Sequence, residues 1–137
     1  PANEFRGQLS MEMDWFPTLA ELTNSKVAAD LDGKSLMPII LDNKKESVHE
    51  VVHWQLDNYD DKMAQWAIRK GPWKLIGNVR EPIGKREKMD LDKLYLVNLD
   101  NDIGEKNNLA KSDPEKLNEL LQLHTTWIKS VRSEMKQ

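Results

Sequence analysis

The fold is decided by residues 66–76, which read WAIRKGPWKLI. Large apolar side chains alternate with small or polar ones on both sides of the central KGP, with Trp66 and Ile68 before it and Trp73 and Leu75 after it. This period of two is typical of half-buried strands. Glycine followed by proline is typical of a tight turn. The stretch therefore predicts a β-hairpin.

Alternation of the same kind continues on both sides of this hairpin. Residues 52–56 (VHWQL) and 94–97 (LYLV) each place apolar side chains at every second position, so we expect two more antiparallel strands. Residues 78–93 are rich in charge and contain Pro82 and Gly84. They predict an exposed loop.

Residues 113–136 predict a long amphipathic helix. Asp113 is a suitable N-cap, Pro114 suits the first helical position, and Glu115 complements the helix dipole. An apolar stripe follows, made of Leu117, Leu120, Leu121, His124, Trp127, Ile128, Val131 and Met135. The predicted fold class is therefore α+β, a four-stranded antiparallel sheet packed on one face by this helix.

Residues 1–47 predict two short helices joined by loops. Asp14 is a candidate N-cap for a helix that begins near Trp15, and residues 35–41 form a second short apolar element. These elements carry large apolar side chains but have few partners nearby in the sequence. We therefore expect the apolar side chains of residues 1–47 to pack on a partner that lies outside this segment.

Composition excludes several classes of function. The chain of 137 residues is 39% hydrophobic and 31% charged, with a net charge of -3, so nothing indicates nucleic-acid binding. The absence of cysteine excludes a thiolate nucleophile and a disulfide framework. No apolar run is long enough to span a membrane. No nucleophile elbow or glycine-rich phosphate loop occurs.

The three histidines do not predict a metal site. His49 and His53 are four residues apart, but on a strand that spacing separates them by roughly 13 Å. His124 lies on the helix stripe and is expected to form a hydrogen bond between helix and sheet. The nearby tryptophans are expected to share one aromatic core with the stripe, namely Trp54, Trp66, Trp73 and Trp127.

Two acidic segments, residues 57–61 and 100–105, lie between predicted elements. Neither has the spacing of a calcium-binding loop. In the second segment, Gly104 is one place early and Lys111 occupies the position of the bidentate glutamate. Turns rich in Asp and Asn explain both segments without a metal.

Four segments, in this order, resemble the C-terminal end of sulfatases. They are DWFPTLAEL (14–22), DGKSLMP (32–38), AIRKGPWKLI (67–76) and LYLVNLD (94–100) followed by Glu105 and NLA (108–110). They are similar to the family patterns D-x-x-P-T-L-x-x-L, D-G-x-S-L-x-P, A-[VI]-R-x-G-x-W-K-L-I and L-Y-D-L-x-x-D-P-x-E-x-x-N-L-A. The last segment differs from its pattern at residues 97–99.

The resemblance implies a parent protein that hydrolyses sulfate esters with a formylglycine and a calcium ion. It implies that those groups and their ligands precede this chain, in which no C/S-x-P-x-R motif occurs. It also implies that residues 1–47 are the last piece of the larger α/β catalytic domain and that residues 48–137 are the C-terminal subdomain. No catalytic residue, metal ligand or cofactor is therefore assigned within the 137 residues. The implied partners are the protein's own N-terminal catalytic domain and a sulfated glycan or aryl sulfate. The resemblance also implies a periplasmic or secreted location.

The first predicted strand supplies the candidates for a substrate contact. The resemblance implies that the C-terminal subdomain borders the substrate cleft. If Val52, Trp54 and Leu56 face the helix, His53 and Gln55 face the opposite side, and we expect them to point toward that cleft. His53, Gln55, Asp57 and Asp60 are the candidate residues for reading the leaving group.

A different interpretation is an autonomous α+β module that binds a protein or glycan surface. The two interpretations differ in residues 1–47. A piece of a larger domain leaves apolar surface exposed there and self-associates, whereas an autonomous module buries that surface.

Overall fold

The structure, a computed structural model, describes residues 3–27, 30–42, 45–56, 64–78 and 94–134. The chain forms two compact units, unit 1 (Pro1–Glu50) and unit 2 (Val51–Gln137). The predicted loop over residues 78–93 lies outside the described residues except for Asn78. Within the described ranges, no helix is long and apolar enough to cross a membrane.

Unit 1 contains the two short helices that the sequence predicts. A 3-10 turn over Glu12–Asp14 leads directly into helix α1 (Trp15–Leu22), and helix α2 (Met37–Leu41) follows after a loop. Pro38 is the second residue of α2, where its missing N–H costs no intrahelical hydrogen bond.

A completely buried carboxylate, that of Asp14, organises unit 1. It accepts hydrogen bonds from the backbone N–H of Met11 (2.7 Å) and of Lys34 (2.8 Å), and His49 Nε2 lies 2.7 Å from its Oδ1. The prediction that Asp14 caps α1 is therefore wrong, because its side chain bonds no amide of that helix. The carboxylate instead holds together segments 20 and 35 residues away.

The sheet of unit 2 has four antiparallel strands in the order β1-β2-β3-β4. They are β1 (Val51–Leu56), β2 (Gln65–Lys70), β3 (Trp73–Gly77) and β4 (Tyr95–Asn98). Lys70 pairs with Trp73, so β2 and β3 are joined by a two-residue turn in which Gly71 has a φ of 55°. Glycine takes this left-handed conformation without strain, and the predicted hairpin is confirmed.

Helix α3 (Pro114–Glu134) covers one face of this sheet. The Asp113 carboxylate accepts a hydrogen bond from the backbone N–H of Lys116 (3.0 Å), which confirms the predicted N-cap. The centre of the core consists of four fully buried side chains, Ile68, Leu75, Leu96 and Leu120. The predicted α+β fold class is confirmed.

The face that β1 turns towards α3 is the opposite of the predicted one. His53 stacks on Trp127 of the helix, and it lies opposite Ile68 of the core across the strand pair. Trp54 and Leu56 therefore lie on the other face, where they are 38% and 66% exposed. A strand alternates strictly, so one contact fixes the whole face.

The outer edge of β4 is closed by a side chain. Asn108 Oδ1 accepts a hydrogen bond from the backbone N–H of Leu96 (3.0 Å), and Asn108 Nδ2 donates one to the carbonyl of Leu94 (2.9 Å). The backbone N–H of Leu109 then donates to the carbonyl of Leu96 (2.8 Å). The amide group of Asn108 thus occupies the place of a further strand.

Candidate functional site

Four aromatic rings meet between the sheet and α3 and form what we call the ring cluster: His53, Trp66, His124 and Trp127. The ring of His53 is parallel to that of Trp127, with centroids 4.5 Å apart. His124 stacks on Trp66 with centroids 4.0 Å apart. The two imidazoles are 5.8 Å apart and tilted by 36°. The ring cluster therefore connects β1 and β2 to the middle of the helix.

Gly77 of β3 supports the ring cluster from the sheet side. It pairs with Trp66 across the β2–β3 ladder, and the indole ring lies directly over its backbone. A Cβ at position 77 would fall inside that ring. Glycine is therefore required here by the close approach of an aromatic ring.

Both imidazoles of the ring cluster lack a partner at one nitrogen. Nδ1 of His53 and Nδ1 of His124 are buried and have no hydrogen-bond partner in the part of the chain that the structure describes. The prediction that His124 forms a hydrogen bond between helix and sheet is thus wrong for this nitrogen. Stacking on indole replaces the expected hydrogen bond.

Burial lowers the pKa of His53 to about 4. Burial, and then the neighbouring charge of His53, lowers the pKa of His124 to about 4. An imidazolium over an indole face gains about 0.5–2 kcal/mol, but a buried charge without a hydrogen-bond acceptor costs on the order of several kcal/mol. Desolvation is the larger effect, so both rings are neutral at pH 7 and neither is a proton donor there.

The resemblance implies that the calcium ligands precede this chain, and the described residues do not form another set that would fit the ion. No group of three or more His, Cys, Asp or Glu side chains in the described ranges is arranged to hold a metal ion. Calcium takes about six to eight oxygen ligands. We therefore assign no step of the chemistry to a metal bound by these residues.

The second acidic segment is a set of turns. Asp102 Oδ2 accepts hydrogen bonds from the backbone N–H of Lys106 and of Asn107, each at 2.8 Å. These hydrogen bonds, with the one that the Asn107 side chain donates, lower the pKa of Asp102. Turn formation therefore explains the spacing of this segment, as predicted.

The candidate substrate residues fall into two groups. His53 belongs to the ring cluster, and Gln55, two residues further along β1, lies on the same helix-covered face. The predicted orientation of these two side chains is wrong, because His53 stacks on Trp127 of α3 and the strand alternates. Asp57 and Asp60 lie outside the described residues.

The predicted tryptophan core is partly correct. Trp66 and Trp127 stack in the ring cluster, and Trp73 packs against the core of unit 2. Trp54 lies on the opposite face of the sheet and is excluded. Sequence reasoning missed the ring cluster because it classed His53 as a polar position. The signal in the sequence is that His124 and Trp127 are three residues apart on the helix stripe, while His53 and Trp66 lie on two neighbouring strands.

Solved structures with the same fold were found by structural comparison, whereas no family model and no curated protein matches the sequence. The crystal structure of Ps i-CgsB has a TM-score of 0.71 and 25% identity, over 93% of this chain and 26% of that one. It has also been solved with k-i-k-neocarrahexaose bound. A Bacteroides thetaiotaomicron protein, BT33336S-sulf, has a TM-score of 0.56 and 31% identity, over 88% and 24%. BT1596, a 2-O GAG sulfatase, has a TM-score of 0.58 and 24% identity, over 90% and 25%.

The chain spans about a quarter of the length of each of these structures. The matches cover both units, because at least 88% of the chain is aligned in all three. The shared fold agrees with the four sequence segments that resemble sulfatases, which are spread over residues 14–110. In both its sequence segments and its fold, the chain therefore resembles a C-terminal portion of sulfatases.

Proposed function

We propose that the whole protein is a sulfuric ester hydrolase that acts on a sulfated glycan. The observation that carries this proposal is the fold over nine-tenths of the chain that is shared with BT1596, a 2-O GAG sulfatase, and with Ps i-CgsB, which binds a carrageenan oligosaccharide. The 31% identity with BT33336S-sulf supports the same reaction class.

In this proposal the chain is a structural portion of the enzyme. The nucleophile, a formylglycine, and a calcium ion that polarises the sulfate belong to the rest of the protein. The formylglycine would supply the nucleophile that attacks sulfur, and the calcium ion, when bound, would stabilise charge on the sulfate oxygens. The residues of this chain complete the fold around them.

The test compares the whole protein with the isolated 137 residues. We expect the whole protein to release sulfate from a chromogenic aryl sulfate and from sulfated oligosaccharides, with loss of turnover after removal of calcium. The isolated chain should release none. Turnover by the isolated chain contradicts the structural role, and a calcium-loaded whole protein that is inactive on a panel of sulfated glycans contradicts the reaction class.

The apolar face of α1 supports an intramolecular partner for unit 1. Trp15, Phe16, Leu19 and Leu22 each expose more than half of their surface, and their spacing places them on one side of the helix. An exposed apolar face of this kind marks an interface. We propose that it packs against the N-terminal catalytic domain and that the isolated chain self-associates through it.

Substitution of this face tests the proposal. Trp15→Ser with Leu19→Ser should make the isolated chain monomeric in sedimentation and reduce its binding of a hydrophobic dye. In the whole protein the same pair should lower thermal stability. Ile103→Ser is the control, because Ile103 is 83% exposed and is not part of the α1 face. A monomeric unsubstituted chain that binds no dye contradicts the proposal.

The segment after β1 remains the proposed contact with substrate. Asp57 and Asp60 are carboxylates that accept hydrogen bonds from sugar hydroxyls, and β1 ends immediately before them. His53 and Gln55, which face α3, act in this proposal by holding β1 in place. The same resemblance supports export of the whole protein to the periplasm or outside the cell, which cell fractionation tests.

Kinetics of the whole protein distinguish these roles. Asp57→Asn with Asp60→Asn should raise KM for a sulfated oligosaccharide by about tenfold, equal to about 1.4 kcal/mol, and leave turnover of a small aryl sulfate unchanged. His53→Phe should affect both substrates equally. Unchanged kinetics for the double aspartate variant on both substrates exclude the contact.

A further inference from the structure

We propose that the ring cluster of His53, Trp66, His124 and Trp127 is an acid-sensitive latch that holds α3 on the sheet and releases it when both imidazoles take up protons. The latch is distinct from the proposed hydrolase activity, since none of its four residues is assigned to the chemistry. Its operation requires only the contacts between the sheet and α3 within unit 2.

The geometry of the ring cluster favours the neutral form of both imidazoles. Each histidine has an indole against one ring face, at 4.5 Å for His53 and 4.0 Å for His124. Each also has a buried Nδ1 with no acceptor among the described residues. Protonation makes both Nδ1 atoms N–H donors without partners. It also places two like charges in rings 5.8 Å apart.

No neighbouring charge is free to stabilise the protonated pair within the described ranges. On the helix-covered face of the sheet, Lys70 of β2 binds Glu119 of α3 at 3.1 Å, and Lys116 also binds Glu119. Glu119 is therefore occupied by two cations. The side chains of β3 and β4 that share this face are uncharged: Trp73, Leu75, Gly77, Leu96 and Asn98. On β1 the neighbours of His53 on this face are Val51 and Gln55.

The direction of the pH dependence follows from linkage. The pKa of each histidine is lowered to about 4 in the folded chain, against about 6.5 when unfolded. Between these values the unfolded chain binds more protons, so folding weakens as pH falls from 6.5 to 4 and is unaffected above that range. With two protons taken up, the unfolding constant of unit 2 rises by up to about 100-fold per pH unit.

The experiment measures urea unfolding of the full 137-residue chain by circular dichroism at pH 7.5 and pH 5, where most carboxylates are still ionised. We expect the unfolding constant of unit 2 to increase by about 100- to 1,000-fold in the unsubstituted chain. The increase should be about tenfold or less in His53→Phe with His124→Phe. His49, in unit 1, is present in both proteins, so the difference between them comes from His53 and His124 alone.

A second measurement applies whether or not the double variant folds. Nuclear magnetic resonance of histidine-labelled chain should show the imidazoles of His53 and His124 remaining neutral to below pH 5, until the amides of α3 lose their protection from hydrogen exchange. Titration of either ring near pH 6.5 while α3 stays protected overturns the proposal. An equal increase in the unfolding constants of the unsubstituted and double-variant chains also overturns it.

Discussion

In unit 1, His49 is buried against a carboxylate, whereas in unit 2 the half-buried His53 and the buried His124 lie against each other and against indoles. The Asp14 carboxylate accepts three hydrogen bonds, one of which involves His49 Nε2. The two histidines of unit 2 instead stack through their ring faces, and among the described residues their Nδ1 atoms have no hydrogen-bond partner. One site is held by directional bonds, the other by the shape and stacking of rings.

The difference decides how each unit responds to acid. Burial alone would raise the pKa of Asp14, but hydrogen bonds from the amide of Lys34, from His49 and from the amide of Met11 together lower it. Burial lowers the pKa of both histidines in unit 2, where Nδ1 has no hydrogen-bond partner among the described residues, and the charge of His53 adds to the lowering at His124. Hydrogen bonding thus stabilises the charged group in unit 1, and the lack of a hydrogen-bond partner at Nδ1 disfavours the charged form of the two imidazoles in the ring cluster of unit 2.

The largest effect is expected for Asp14→Ala. It leaves His49 and the amides of Met11 and Lys34 without their acceptor, so unit 1 should lose about 3–5 kcal/mol of stability. Urea unfolding measures the loss. Asp32→Ala is the control, because Asp32 is exposed and a surface substitution changes stability by about 0.5 kcal/mol or less. Equal effects of both variants would show that the buried carboxylate is not the organising group.

The ring cluster should depend on close packing, which Gly77→Ala disrupts. The added methyl group displaces the indole of Trp66 from its position on His124, and unit 2 should lose about 1–3 kcal/mol. Gly7→Ala is the matched control, since a Cβ at position 7 meets nothing within 4 Å. Thermal unfolding of both variants provides the comparison, and no difference between them would indicate a loosely packed cluster.

As pH falls, unit 2 should unfold before unit 1. The contribution of Asp14 is fully present above its unfolded pKa of about 3.8 and is lost only as pH falls through the lower pKa of the folded state. Unit 2 should therefore lose amide protection in hydrogen exchange as pH falls from 6.5 to 4, while the Asp14 interactions keep unit 1 protected. Loss of protection in unit 1 first would reverse the comparison.

The smallest effect is expected for Glu119→Gln on α3. Lys70 Nζ lies 3.1 Å from Glu119 Oε1, but both side chains are about a third exposed. Such ion pairs contribute about 0.2–1 kcal/mol. The loss should disappear at about 1 M salt, where charges are screened over roughly 3 Å. A larger, salt-resistant loss would mean that ions rather than rings hold the helix on the sheet.

The elements of the fold were predictable because their signals are local. The turn at Gly71 and the cap at Asp113 each depend on neighbouring residues, and the structure has both. The alternation around them predicts the strands of the sheet, since a period of two needs only a few residues to be recognised.

The orientation of β1 and the composition of the ring cluster were less predictable, because they depend on residues that are distant in the sequence. Alternation shows that His53 and Trp54 face opposite ways but not which of them meets α3. Trp127, 74 residues after His53, decides this by stacking on the imidazole. Asp14 has the local appearance of an N-cap, yet its partners Lys34 and His49 lie 20 and 35 residues away. The sequence around His53 and around Asp14 gives no indication of these distant partners.

The amide of Asn108 has a consequence for the solubility of the chain. An open sheet edge offers rows of unpaired N–H and C=O groups to any extended peptide, which is how sheets from separate molecules join. At Leu96 both groups are already bonded, to Asn108 and to the amide of Leu109. A foreign strand would first have to displace them, so β4 is protected against lateral growth by one short side chain.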